Sequence, residues 1–209
     1  MADSATEHPE RTWNDALAAV IKKEAEQSEV LYILHYKASV WAKRRNDCLQ
    51  IPIILISTLT GFFSASSDLI PPIGIGALSV LVSALGVINT YFKYSQRAEN
   101  HKLCSNMYQK IYKDLEIELS LPENQRQDPD KILPELRSKM ARIAELSEPI
   151  PEKIIAEFKK HFSESKVSKP LIANGLDPVK IYREPTEFVV EQTPKPKISI
   201  TVMKPSLEV

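Results

Sequence analysis

The chain has 209 residues, and its 27 Lys and Arg residues are balanced by 27 Asp and Glu residues, so its formal net charge is zero. That balance argues against nucleic-acid binding, for which a clustered basic surface is expected. With only 5 glycines and few strand-like runs, the sequence predicts a mainly helical protein, and its 15 prolines concentrate at predicted boundaries and near the C-terminus.

The first part of the chain predicts a polar end followed by a long amphipathic helix. Residues 1–11 are predicted to be disordered, and they lack the basic start and apolar run of a signal peptide. Residues 12–47 are predicted to form a cytoplasmic amphipathic helix, with Thr12 as N-cap and Asp15 completing a capping box. Its expected apolar face is made of Trp13, Leu17, Val20, Ile21, Ala25, Leu31, Tyr32 and Tyr36.

Two long uncharged stretches follow. Residues 48–67 contain no charged side chain, and after Asp68 the residues 69–92 are uncharged as well. Each stretch has about 20 residues or more, the length that a helix needs to cross the hydrocarbon core of a bilayer. The alternative is a soluble pair of helices buried on all sides, but the remaining chain offers too little apolar surface to enclose them.

Two prolines, Pro71 and Pro72, forbid a continuous helix through the junction of these stretches and favour a tight turn. We therefore expect a transmembrane helical hairpin over residues 48–92, with spans at about 48–67 and 70–92.

Basic side chains flank this hairpin on both sides, whereas the short loop between the spans has no Lys or Arg. By the positive-inside rule, both termini are expected to face the cytoplasm and the loop the opposite side of a host or viral membrane. The flanking basic residues are Lys43, Arg44, Arg45, Lys93 and Arg97.

Small and hydroxylated residues recur on one face of each predicted span. Such a stripe lets helices approach closely in lipid, and the same residues would suit the lining of a narrow pore in an oligomer; the spacing fits both. Neither span contains an ionisable side chain of the kind that builds proton relays or charged filters. The stripe comprises Ser57, Gly61 and Ser64 in the first span and Gly76, Ser79, Ser83 and Gly86 in the second.

Residues 93–164 predict further cytoplasmic helices. The first continues from the second span and carries a buried face that includes Ala98, His101, Cys104, Tyr108, Ile111, Leu115 and Leu119. Since the spans are antiparallel, this face is expected to pack against residues 12–47 as a coiled pair. A third helix capped by Asp128 and a short fourth helix would complete a small bundle. Residues 165–209 predict a Pro-rich tail, extended or disordered, that could bind a protein partner.

The sequence lacks the motifs of an enzyme. Its four histidines have no metal-ligand spacing, no phosphate loop or nucleophile elbow occurs, and no cofactor or metal is expected. His101 lies on the face that meets the partner helix, where it is either a hydrogen-bonded packing residue or a pH-sensitive group. Cys48 and Cys104 are too far apart for a disulfide; Cys48, at the membrane edge, is an ordinary thiol or an acylation site.

The segments Trp41–Arg45, Tyr91–Lys93 and Arg97–Lys102 around the predicted hairpin share an arrangement of basic and aromatic residues. This arrangement resembles the SLATT family, the SMODS and SLOG-associating two-transmembrane effector group. The resemblance extends from Trp13 to Phe162, and it is greatest to the branch found in large DNA viruses.

The resemblance implies a membrane effector that oligomerises and forms pores in prokaryotic conflict systems, where it accompanies a nucleotide-signal sensor. This chain carries no sensor domain and adds a Pro-rich tail, and the viral branch implies a membrane or virion component. We therefore expect a non-enzymatic integral membrane protein that self-assembles through its hairpin as a pore-forming or membrane-perturbing effector. The alternative is a structural membrane anchor or minor virion component whose C-terminal arm binds a capsid or scaffold protein.

Overall fold

A computed structural model describes residues 12–65, 71–162 and 167–174. Every regular element in those residues is helical, which confirms the all-α prediction for the described part of the chain. The elements are α1 (Asp15–Ala65), α2 (Pro72–Phe92), α3 (Tyr94–Ser120), a 3-10 turn (Glu123–Gln125), α4 (Pro129–Leu146), α5 (Glu152–His161) and α6 (Leu171–Asn174).

Helix α1 runs for 51 residues without a break and includes Pro52. It therefore joins the predicted cytoplasmic helix to the first predicted span in one piece. Its N-cap is Asn14, whose Oδ1 accepts a hydrogen bond of 2.8 Å from the Leu17 amide. The prediction of Thr12 as the cap was wrong, because Asn14 satisfies the free amide of the first turn from the position directly before the helix.

Helices α1 and α3 pack against each other and run in opposite directions, since partner positions rise along α1 as they fall along α3. The contacts that show this are Tyr32 with Ser105, His35 with His101, and Trp41 with Tyr94. Between them and α4 lies a core that we call the first core: Ile21, Ala25, Cys104, Tyr108, Ile111, Leu115, Ile132 and Ile143. The predicted inward face of α3 is confirmed at His101, Cys104, Tyr108, Ile111 and Leu115. The supercoiling of this pair stays a prediction.

A second core lies on another side of α1. Here α1 packs against α5, α6 and the segment before α5, through Val30, Leu34, Ala38, Ile150, Ile154, Phe158 and Ala173. Because α1 is covered from two directions, its buried residues do not form one stripe. Val20 and Tyr36, which the periodicity assigns to the buried face, are exposed.

One residue separates α2 from α3. Lys93 has φ 48 and ψ 39, the left-handed conformation, and its amide donates to the Asn89 carbonyl at the end of α2. The helix predicted to continue through this point is therefore interrupted. The interruption lies one residue beyond the last uncharged position of the second stretch, where the chain passes into α3.

The segment 167–174, predicted to belong to an extended or disordered tail, packs on α1 instead. The Ser168 amide donates to Glu26 Oε2 (2.9 Å), and Gln27 Nε2 donates to the Lys169 carbonyl (3.3 Å). Ala173 enters the second core, so burial and hydrogen bonding together hold this segment. Predictions for residues 1–11, 66–70, 163–166 and 175–209 lie outside the described residues.

Candidate membrane-spanning region and its basic flank

Two helical stretches, one in α1 and one covering α2, are long and apolar enough to cross a membrane, judged by length and composition. In each stretch an 18-residue apolar window has 0% of its residues buried within the described chain. Large apolar side chains such as Phe62, Ile73 and Val80 are exposed. A core helix of a soluble protein would be covered, so the apolar surface of these helices has no partner within the described part of the chain.

Five hydroxyl groups in these stretches bond to their own helix. Each of the five donates to the carbonyl four residues earlier at 2.7–3.0 Å, in the pairs Thr58–Ile54, Thr60–Ile56, Ser79–Ile75, Ser83–Ser79 and Thr90–Gly86. An unbonded hydroxyl in hydrocarbon is costly, and this local bond removes the cost without a partner from another helix. The hydroxylated residues are therefore compatible with an apolar environment.

The predicted small-residue stripe lies open along the two helices. A Cβ atom built on Gly61, Gly76 or Gly86 would meet nothing within 4 Å. Its other members, Ser57, Ser64, Ser79 and Ser83, are exposed. Within one chain the stripe does not form the contact between α1 and α2, and its surface is free to meet another molecule.

One polar contact joins the two apolar helices near the basic flank. Asn89 Nδ2 donates to Gln50 Oε1 at 2.9 Å. Asn89 Oδ1 is buried and has no hydrogen-bond partner among the described residues. Sequence reasoning missed this pair because both residues are single amides within otherwise apolar runs.

The basic residues that the sequence places before the first apolar stretch, Lys43, Arg44 and Arg45, are exposed on α1. Lys93 is exposed at the junction of α2 and α3, and Arg97 Nε lies 3.5 Å from Glu148 Oε2. The structure thus brings the basic residues before the first apolar stretch and after the second to the same end of the apolar region.

Aromatic rings accompany these cations. Trp41 and Tyr94 meet edge to face with their ring centroids 6.0 Å apart, and Phe92 stacks on Tyr94 at 5.3 Å. The Arg45 guanidinium lies 5.5 Å from the centroid of the Trp41 ring. Rings of this kind are typical of the level at which a membrane protein passes from lipid into water.

Further from the apolar stretches than this flank, two buried histidines face each other across the α1–α3 contact. His35 and His101 are 2% and 3% exposed, and their Nδ1 atoms lie 3.0 Å apart. In such a contact the Nδ1–H of one ring donates a hydrogen bond to the bare Nδ1 of the other, so only one Nδ1 carries hydrogen. His35 Nε2 lies 3.5 Å from Ser147 Oγ, and the His35 ring stacks on Tyr108.

Burial and repulsion by His101 lower the pKa of His35 to about 4. Burial also lowers the pKa of His101; Glu148 opposes this shift and Arg97 adds to it. Both rings are therefore held neutral at physiological pH. The sequence predicted His101 as a packing or pH-sensitive residue but missed His35, which its position opposite His101 in the antiparallel pair could have indicated.

In the described ranges, no cluster of three or more His, Cys, Asp or Glu side chains could hold a metal ion. Both cysteines are free thiols, with Cys48 exposed and Cys104 buried. The absence of catalytic and cofactor chemistry stays a prediction from the sequence. Comparison with known proteins finds no matching family model, curated protein or solved structure.

Proposed function

We propose that this chain is a non-enzymatic integral membrane protein whose two apolar helices span a bilayer as a hairpin, with both termini cytoplasmic. The observation that carries the proposal is that two membrane-length apolar stretches contain no buried residue, while the first part of α1 and the other helices bury a core. The basic and aromatic flank supports the orientation, because cations are retained on the cytoplasmic side.

Self-assembly is the second part of the proposal. The stripe along Gly76, Ser79, Ser83 and Gly86 is open, and its serine hydroxyls are already bonded within α2. Small side chains allow a second helix to approach closely, and in lipid close packing is the main attraction between helices. A second copy of the chain therefore fits this surface, and an assembly built on it would perturb or perforate the bilayer, as the SLATT resemblance implies.

Release of ions and dye from liposomes carrying the purified protein tests this function. We expect release by the wild type and its loss in Ser83→Leu, which fills the stripe. Ala84→Leu is the matched control: it adds a similar volume at the same depth, but about 100° further around the helix. Equal release by both variants would contradict a role for the stripe.

A structural membrane anchor is the second candidate, favoured by the docking of residues 167–174. Their contacts with Glu26 and Gln27 attach the root of the C-terminal arm to the cytoplasmic helices. An arm fixed in this way would hold a capsid or scaffold protein at a membrane. Truncation after Asn174 preserves the docked segment; if the anchor function is right, it abolishes partner recruitment and leaves membrane insertion intact. Intact liposomes despite insertion and oligomerisation would favour this candidate.

A further inference from the structure

A groove of about 300 Å³ lies between α1 and α5 on the basic flank. We call it the α1–α5 groove; the lining residues that matter here are Lys37, Trp41, Arg44, Lys153, Ile154 and Glu157. Its walls are held by the second core, where Leu34 and Ala38 of α1 pack with Ile154 and Phe158 of α5. The groove is therefore a formed feature of two packed helices.

The charge of the groove is positive. Three cations face one carboxylate, which leaves two positive charges in excess. The carboxylate, Glu157, is bound to Lys37 Nζ at 3.0 Å. Arg44 and Lys153 have no carboxylate within ion-pair distance among the described residues. Two cations from different helices are thus left facing the same small space.

The position of the groove specifies its ligand. Arg44 precedes Cys48, the first residue of the uncharged stretch, by four positions, or about 6 Å along a helix. The open end of the groove therefore lies at headgroup level if α1 enters a bilayer there. A phosphate diester would supply a negatively charged partner for Arg44 and Lys153. Val40 and Ile154 provide an apolar wall for the glycerol backbone beside it.

We propose that the α1–α5 groove binds the headgroup of an anionic phospholipid from the leaflet next to the cytoplasmic helices. The inference rests on the proposed function, since only an inserted chain presents the groove to a leaflet. It differs from general attraction between basic residues and an anionic surface. Lys43 and Arg45 are exposed at the same level but do not line the groove, so a specific site makes Arg44 more important than either neighbour.

The test uses full-length protein in detergent micelles, titrated with phosphatidylglycerol or with phosphatidylcholine of the same acyl chains. A ligand that binds the folded state raises the unfolding temperature, so the shift reports affinity. We expect stabilisation by phosphatidylglycerol only. Arg44→Gln and Lys153→Gln should each weaken apparent affinity roughly fivefold, the effect of about 1 kcal/mol per charge. Lys43→Gln and Lys160→Gln, exposed controls on the same two helices, should bind like wild type.

Three results would overturn the inference: equal stabilisation by the two lipids, equal losses in the test and control variants, or the same stabilisation by inorganic phosphate alone. Flotation of each variant with liposomes separates these failures from failure of the proposed function. A chain that inserts but shows no preference for phosphatidylglycerol refutes the groove alone, whereas a chain that never inserts refutes the function.

Discussion

The two ends of helix α1 show how differently one continuous helix is used. Its nine buried residues all lie between Ile21 and Ala42, and after Ala42 no described residue of α1 is buried. The first part is covered by α3 and by α5, α6 and the segment before α5, whereas in the second part the uncharged residues from Cys48 to Ala65 contact α2 and none of them is buried. The apolar character of the second part therefore cannot be explained by packing within the described chain, and lipid is the environment that matches it.

The polar side chains of the two regions also differ. Among the helices that pack on the first part of α1, several bond to another helix, as Ser105 does to Tyr32 and as Lys139 Nζ of α4 does to Asp114 Oδ2 of α3. In the apolar region five hydroxyls bond to their own helix, and among the described residues the Gln50–Asn89 hydrogen bond joins α1 to α2 there. Polar contacts between helices are therefore concentrated among the helices that pack on the first part of α1.

A charge placed in each region gives the sharpest contrast. Leu81 in α2 and Leu103 in α3 are both 47% exposed. Under the proposed function they differ in their surroundings, which are lipid for Leu81 and water for Leu103. Leu81→Lys lies near the centre of α2 and should lose membrane integration, because a lysine there costs about 2.5–3.5 kcal/mol. Leu103→Lys should integrate like wild type.

The measurement is the fraction of each variant retained in membranes after alkaline extraction. Equal retention of the two variants would show that the Leu81 surface does not face lipid. Equal loss would point to a general folding defect.

Acidification should weaken the packing of α1 against α3 through His35. The folded-state pKa of about 4 lies below the ordinary 6.5, so the unfolded chain binds protons first as the pH falls. The neutral His35 ring contributes its full stabilisation above pH 6.5. This contribution, about 3 kcal/mol at most, is lost as the pH falls through about 4. Denaturant unfolding in micelles between pH 7 and 4, followed by Trp13 fluorescence in a Trp41→Phe background, measures the loss.

Trp13 is a suitable reporter because its Nε1 donates to the Gln127 carbonyl at 2.9 Å, next to α4. His35→Gln removes the titrating ring and should flatten the pH dependence, whereas the exposed His161→Gln should not. A wild-type stability that stays constant from pH 7 to 4 would refute the role of the histidine pair.

The smallest effect concerns the amide pair between the apolar helices. Asn89→Leu removes the 2.9 Å hydrogen bond to Gln50 and should cost about 0.6 kcal/mol, the average for such bonds in membranes. Thr90→Val is the control, since the Thr90 hydroxyl bonds only within its own helix. Thermal unfolding in micelles compares the two. A loss of several kcal/mol for Asn89→Leu would mean that α1 and α2 depend on this bond far more than their apolar surfaces suggest.

The sequence was sufficient to predict those features that depend on a single local pattern of residues. The inward face of α3 could be read from its spacing because Tyr108, Ile111 and Leu115 meet one layer of partners. The N-cap Asp128, whose Oδ1 accepts from the Asp130 amide at 2.9 Å, was predictable because capping is local. The uncharged stretches were visible from composition alone.

Other features depend on tertiary contacts that no single periodicity encodes. The buried face of α1 was mispredicted at Val20 and Tyr36 because α1 packs on two sides. The left-handed conformation at Lys93 could not be predicted, because the residue there is not a glycine. Predicting His35 as the partner of His101 would have required the register between α1 and α3, which are far apart in the sequence. The small-residue stripe could be identified from the sequence. Its spacing could not distinguish helix packing from pore lining, because both use the same small residues.

Insertion of the two apolar helices is the claim on which the other proposals depend. Flotation of purified full-length protein with liposomes through a density gradient, after an alkaline wash, tests it most directly. The proposed function predicts that the chain rises with the vesicles and stays with them after the wash. A chain that remains at the bottom, monodisperse without detergent, would contradict the membrane assignment.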